Sequence, residues 1–125
     1  MIAPTCIIAG LGMTAHFDII EAPGATGDYH TNLESKFRTA QHTITNTQQD
    51  YGFGFIHIKA VDDAGHDKNV DLKVKFLTQI NHCLGLLIQG LQDHEDKEKD
   101  ARVKNPFVLL RRTHNQPKHF FSFTV

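Results

Sequence analysis

Residues 53 to 91 carry the pattern that most narrows what this chain can fold into. "FGFIHIK" (53–59) alternates aromatic or aliphatic residues with small or polar ones, the period of two that marks a strand. From Asn69 onward, Val70, Val74, Leu77, Leu84, Leu87 and Leu91 line a broad apolar stripe, which predicts a helix of about six turns. A strand handed directly to a long amphipathic helix is a βα unit, and such units build parallel sheets.

The flanks extend the pattern. Pro4 suits the first turn of a short helix running to about Gly12, where its missing N–H costs nothing. "HFDIIEA" (16–22) is β-branched and apolar and stops at Pro23-Gly24, which predicts a second strand. "PGATGDY" follows as a glycine-bearing loop. In Thr31-Asn32-Leu33-Glu34, a capping box places Thr31 at the helix start with Glu34 reaching back. Leu33, Phe37, Ala40 and Ile44 then mark one face of a helix to about residue 46. "NPFVLL" (105–110) reads as a short buried strand and "HFFSFTV" as a further one.

Residues 93–104, "DHEDKEKDARVK", hold nine formally charged residues in twelve and are expected to form a solvated loop, since they have almost nothing to bury. The expected fold class is α/β with a mostly parallel sheet and flanking helices. Ligands of such sheets bind beyond the carboxyl ends of the strands. That rule directs attention to the loops at 23–31, 60–67 and 111–117.

Composition closes off several functions. The chain of 125 residues has the length of one domain and a formal net charge of −1, which disfavours nucleic acid and acidic membrane as partners. It has no apolar run long enough to span a bilayer and no basic leader, so a cytoplasmic location is expected. Cys6 and Cys83 sit in apolar stretches and read as reduced core residues.

Within the loop expected at 60–67, Asp62 and His66 are separated by three residues. A carboxylate and a neutral imidazole are common ligands of Mn²⁺, Zn²⁺ or Fe²⁺, and they must converge to share an ion. Gly65, beside Ala64, is expected to permit the tight turn this needs. The plainer reading is a turn with a helix cap supplied by Asp67 or Asn69. Spacing alone leaves both open. The tight turn around Gly24 and Gly27 competes in the same way with an anion site at Tyr29 and His30. His57 reads as an inward or interfacial histidine, and Lys59 as an exposed strand end or a cation that steers phosphate.

Three stretches carry a resemblance: "IIEAPGATGDYHTNLESKFRTA", "YGFGFIHIKAVDDAGHDKNVDLKVKFL" and "NPFVLL". Together they resemble the C-terminal part of the archaeal-type cofactor-independent phosphoglycerate mutases, of the alkaline-phosphatase-like superfamily, over roughly residues 1 to 110. The resemblance implies a partial alkaline-phosphatase-like core, making residues 1–125 one partial metalloenzyme domain. It implies interconversion of 3-phosphoglycerate and 2-phosphoglycerate in glycolysis, with two metals clamping the oxygens during transfer through a serine. Mn²⁺ is the expected metal, with Mg²⁺ or Zn²⁺ as alternatives.

Carried onto this sequence, the ligand pair falls on Asp62 and His66. After the last core strand the family has an Asp-His-Ser-Thr-Pro stretch, against which "RRTHNQPKH" aligns His114 and Pro117. That makes His114 a further metal ligand, while Thr113 stands where the aspartate belongs and supplies no anionic oxygen. His119 is spaced too closely to match the final family histidine, and Arg111 and Arg112 place two cations where metal would gather. The nucleophilic serine and another aspartate belong to a part of the family that precedes the matched stretch. Ser35 and Ser122, the two serines here, match neither context, so the chain by itself is expected to lack mutase activity. The rival expectations are a non-catalytic remnant acting through protein contacts, including self-association through uncovered sheet or helix faces, and another metal-dependent phosphatase or phosphotransferase.

Overall fold

Strand β1 (Phe53–His57) runs into the core, with Ile56 and, just past its end, Ile58 almost wholly enclosed. In a computed structural model, residues 1–46, 48–49, 51–99 and 120–124 are described. On one side of β1, Ile2 pairs parallel with Ile56: its N–H donates to the Phe55 carbonyl (2.8 Å) and its carbonyl accepts from His57 N–H (2.9 Å). On the other side, β2 (Phe120–Thr124) pairs parallel, with Phe53 opposite Phe120 and His57 opposite Thr124. The sheet described is thus these two strands and one bridge; the larger sheet expected from the sequence is not seen among the described residues. "NPFVLL" lies outside them.

Four helices are seen among the described residues: α1 (Cys6–Thr14), α2 (Leu33–Ile44), α3 (Ala60–His66) and α4 (Val70–Lys99). The α2 face predicted from spacing is the one buried, through Leu33, Phe37 and Ala40. It packs on β1 and on α4, which contributes Phe76, Ile80, Cys83, Leu87 and Leu91 to the same core. Each fully buried large apolar side chain there is worth about 1.5–3 kcal/mol of transfer free energy.

Several expectations are corrected. Segment 16–22 is not a strand: its bonds towards the sheet are both to Met1, Ile20 N–H donating to the Met1 carbonyl (2.8 Å) and the Met1 ammonium donating to the Asp18 carbonyl (2.6 Å), and no ladder extends from them among the described residues. The reason lies in the end of α1. His16 adopts a left-handed conformation (φ 61°), with His16 N–H on the Met13 carbonyl (3.1 Å) and Phe17 N–H on the Gly12 carbonyl (2.9 Å), a wrap that consumes the first two donors of the segment. Its apolar residues serve packing instead: Phe17 lies against Phe53, with ring centroids 5.7 Å apart.

The cap of α2 is Asn32, whose Oδ1 accepts from Ser35 N–H (3.0 Å); Thr31 instead accepts from Thr26 N–H (3.2 Å) and closes the preceding loop. Cys6 is exposed, whereas Cys83 is buried as expected. Residues 93–99 continue α4 rather than forming a loop. Glu and Lys are strong helix formers, and extending an existing helix avoids the cost of nucleation. At 30 residues, α4 is about 45 Å long.

Candidate metal-binding site

The chain leaves β1 at His57 and enters α3 three residues later, at Ala60. Sequence reasoning expected a loop at 60–67, but Ala60, Val61 and Ala64 bury one face of a seven-residue helix. That burial turns Asp62 and His66 outward together. At i and i+4 on this helix they stand side by side, Asp62 Oδ1 3.4 Å from His66 Nε2, with their side chains 57% and 78% exposed. Gly65 therefore needs no special turn. Its missing side chain instead leaves room for Lys73, whose Nζ would sit 3.1 Å from a Cβ there.

Neighbouring charges are already committed. Asp63 pairs with Lys59 one turn earlier, and this hydrogen bond holds the Lys59 ammonium above its ordinary pKa. Asp67 caps the end of α3 and accepts the Tyr29 hydroxyl (2.6 Å), which pushes the phenol up to about 12. Asn69, not Asp67, caps α4, its Oδ1 accepting from Leu72 N–H (3.1 Å). Asp62 is left as the carboxylate beside His66.

The turn between α3 and α4 is closed by Lys68 in the left-handed region (φ 55°), with Lys68 N–H on the Gly65 carbonyl (3.1 Å) and Asn69 N–H on the Ala64 carbonyl (2.9 Å). This is the same helix-ending wrap seen at His16, again without glycine.

The glycine-bearing loop reaches the same end of β1. Gly24 takes a positive φ (70°), and its carbonyl accepts from Asn32 N–H (2.9 Å), closing the loop on itself. Gly27 has the Thr5 hydroxyl so near that a Cβ would meet it at 3.2 Å. Asp28 holds the interior, accepting from the Thr26 hydroxyl (2.6 Å) and from His30 N–H (2.9 Å); these bonds keep its carboxyl below the usual range. Tyr29 reaches across to Asp67 and stacks on Phe76, with ring centroids 6.1 Å apart. The two stretches singled out in the sequence thus meet through side chains.

Sequence reasoning missed Lys36. It is fully enclosed, and its Nζ donates to the Thr26 carbonyl of the loop and to the His57 carbonyl at the end of β1, both at 3.2 Å. Burial lowers its pKa to about 8, against a smaller upward pull from Asp28. A signal was present: Lys36 lies three residues after Leu33 and four before Ala40, on the apolar face of the helix. His57 is half-buried, its Nδ1 3.4 Å from the Thr5 hydroxyl, and burial followed by the nearby Lys36 and Lys59 charges lowers its pKa.

The Asp62–His66 donor set fits a divalent metal in part. Two donors about 2.1 Å from one ion stand about 3.0 Å apart at a right angle and about 3.4 Å apart at a tetrahedral angle. The observed separation of 3.4 Å lies in that range. No group of three or more potential ligands gathers among the described residues, so this face offers two donors and an open side. His114, with Arg111, Arg112, Thr113, Pro117 and His119, lies outside the described residues. Among those described, no helix is long and apolar enough to cross a membrane.

Comparison with known proteins shows the family of the chain. A 2,3-bisphosphoglycerate-independent phosphoglycerate mutase of Ignicoccus hospitalis is 36% identical over 87 residues, covering 70% of this chain and 20% of that protein. Phosphoglycerate mutase 2 of Methanothermobacter thermautotrophicus is 35% identical over 109 residues, covering 86% of this chain and 26% of the relative. The chain thus spans a fifth to a quarter of the curated relatives it matches. The solved structure of the PH0037 protein from Pyrococcus horikoshii superposes with a TM-score of 0.64 at 29% identity, over 71% of this chain and 22% of that one. The Metalloenzyme superfamily profile matches residues 2–97, taking in α1 to α3, both motif stretches and nearly all of α4. By that match and that superposition, the chain belongs to the Metalloenzyme superfamily, with its alkaline-phosphatase-like fold.

Proposed function

We propose that α3 supplies one aspartate and one histidine, Asp62 and His66, to a divalent-metal centre for phosphoryl transfer on phosphoglycerate. The observation that carries this reading is their side-by-side exposure beyond the carboxyl end of β1, with donor atoms 3.4 Å apart. The metal bound there would serve as a Lewis acid on phosphoryl oxygens. By likeness to the archaeal mutases the reaction is the exchange of 3-phosphoglycerate and 2-phosphoglycerate, with Mn²⁺ as the metal and His114 as a further ligand.

The chain's own residues do the holding. Ala60, Val61 and Ala64 anchor the helix, and the Lys59–Asp63 pair keeps the neighbouring carboxylate from competing. Ser35 is used structurally: its backbone N–H completes the α2 cap and it lies in that helix's first turn. We therefore expect this chain alone to show negligible mutase turnover in an enolase-coupled assay with Mn²⁺, and ordinary turnover would sink that expectation.

The test of the ligand assignment is Mn²⁺ titration followed by paramagnetic broadening of backbone amide signals. In the unaltered chain the broadening should centre on residues 62–66, and Asp62→Ala or His66→Ala should each remove it. Broadening that survives both substitutions would falsify the assignment. A second reading, action through protein contacts, is favoured by the apolar residues Ile7, Leu11 and Met13, which α1 leaves exposed at 81%, 66% and 65%. It predicts association in sedimentation that Leu11→Glu abolishes.

A further inference from the structure

We infer that Lys36 is a positioning residue for the candidate metal face, setting where α3 begins by tying the end of β1 to the glycine-bearing loop. This rests on the reading of Asp62 and His66 as ligands. Lys36 is the buried charged residue of the described chain, fully enclosed in the second turn of α2. Both its hydrogen bonds go to backbone carbonyls of other elements, Thr26 in the loop and His57 at the end of β1.

The position of the second carbonyl matters most. His57 lies three residues before Ala60, and Asp62 sits in the first turn of the helix that starts there. A shift of the His57 peptide therefore moves the start of α3 and the direction in which Asp62 projects. The loop is in turn held to the far end of α3 by Tyr29 on Asp67. The helix carrying both donors is thus bracketed: Lys36 fixes the chain entering it, and Tyr29 fixes the residue that ends it.

An enclosed ammonium is costly, whereas a methionine would fill similar space without that cost. What lysine adds is donors, and both donors seen here serve the bracket. Ligand-orienting groups outside a metal's own contacts typically alter affinity 10–100-fold when removed.

The experiment compares Lys36→Met with Ile80→Val, a core change on α4 chosen for a similar loss of stability away from α3. Mn²⁺ broadening of the amides of residues 62–66 is titrated in the full chain, alongside thermal unfolding. We expect Lys36→Met to weaken Mn²⁺ binding about 10-fold and Ile80→Val to leave it unchanged. Equal weakening by both variants would reduce Lys36 to a contributor to stability and overturn the inference. Lys36→Gln, which retains an N–H donor, should fall between, and it carries the comparison if Lys36→Met does not fold. Should the unaltered chain not bind Mn²⁺, the metal reading fails separately. Lys36 is then judged on the metal-free protein: its substitution must shift the amide resonances of residues 62–66 more than Ile80→Val does, and equal shifts overturn it.

Discussion

The two stretches flanking β1 solve the same problem in opposite ways. The loop at 23–31 has no regular structure, and polar side chains hold it: Thr31 on Thr26, Asp28 on Thr26 and His30, Lys36 from below and Tyr29 across to Asp67. Segment 60–66 is a helix whose backbone bonds are internal and whose small residues Ala60, Val61 and Ala64 anchor it. The loop spends its side chains on its own shape. The helix is held by its buried face and by the contacts of Asp63 and Asp67, which leaves Asp62 and His66 exposed to meet a ligand. A candidate ligand pair is better presented from a backbone that satisfies itself, because side chains used as struts are no longer available for chemistry.

That contrast can be broken most strongly at Lys36. Lys36→Met leaves the Thr26 and His57 carbonyls without this donor, and each unmet buried polar group costs about 1–3 kcal/mol. Relief of the buried ammonium offsets part of that, so a net loss of about 1–3 kcal/mol is expected from urea unfolding. No loss would mean that the loop does not depend on its strut. Next comes Asn32→Ala, which removes the α2 cap where the loop hands over to helix. It should cost about 1 kcal/mol, read from the same unfolding midpoints.

On the helical side, Lys68→Gly relieves a lysine held at positive φ. It should stabilise by about 0.5–1 kcal/mol once the added freedom of the unfolded chain is subtracted. Loss of stability would show that the lysine side chain contributes more than its backbone costs.

A pH titration sharpens the comparison without altering the loop. The folded-state pKa of Lys36 is lowered to about 8, below its ordinary 10.5. Between those values the unfolded chain binds the extra proton, so the penalty is full below pH 8 and is relieved as pH rises towards 10.5. Stability of the parent chain relative to Lys36→Met should therefore climb across that window. A flat difference would place the ammonium in solvent.

Legibility in the sequence followed the range of the forces involved. β1 and α2 were visible because each buries one face, and burial writes a period of two or 3.6 into the residues. Segment 16–22 misled for the same reason: Ile20 and Ala22 are apolar because they face the core, not because they pair in a ladder. In α4 the spacing announced a helix but not all of its inner face: Leu87 and Leu91 are buried, whereas Val70, Val74 and Leu77 are exposed and Phe76, Ile80 and Cys83 face the core. The seven residues of α3 are too few to display a helical period, and their Asp, Gly and His content reads locally as a turn. Residues 93–99 misled through charge, since lacking anything to bury does not prevent an established helix from continuing.

The site divides along the same line. The sequence by itself determined the candidate pair, Asp62 and His66 with their spacing, and the residues by which the chain resembles its family. Only the tertiary structure decided that this spacing lies on a helix, which places both donors on one exposed face. It also decided that Asp63 is taken by Lys59, and that Lys36 joins two segments lying 10 and 21 residues away from it. Spacing along a chain encodes what neighbours within a turn can do. Which carbonyls meet a buried ammonium depends on how distant segments close over it, and no local pattern records that.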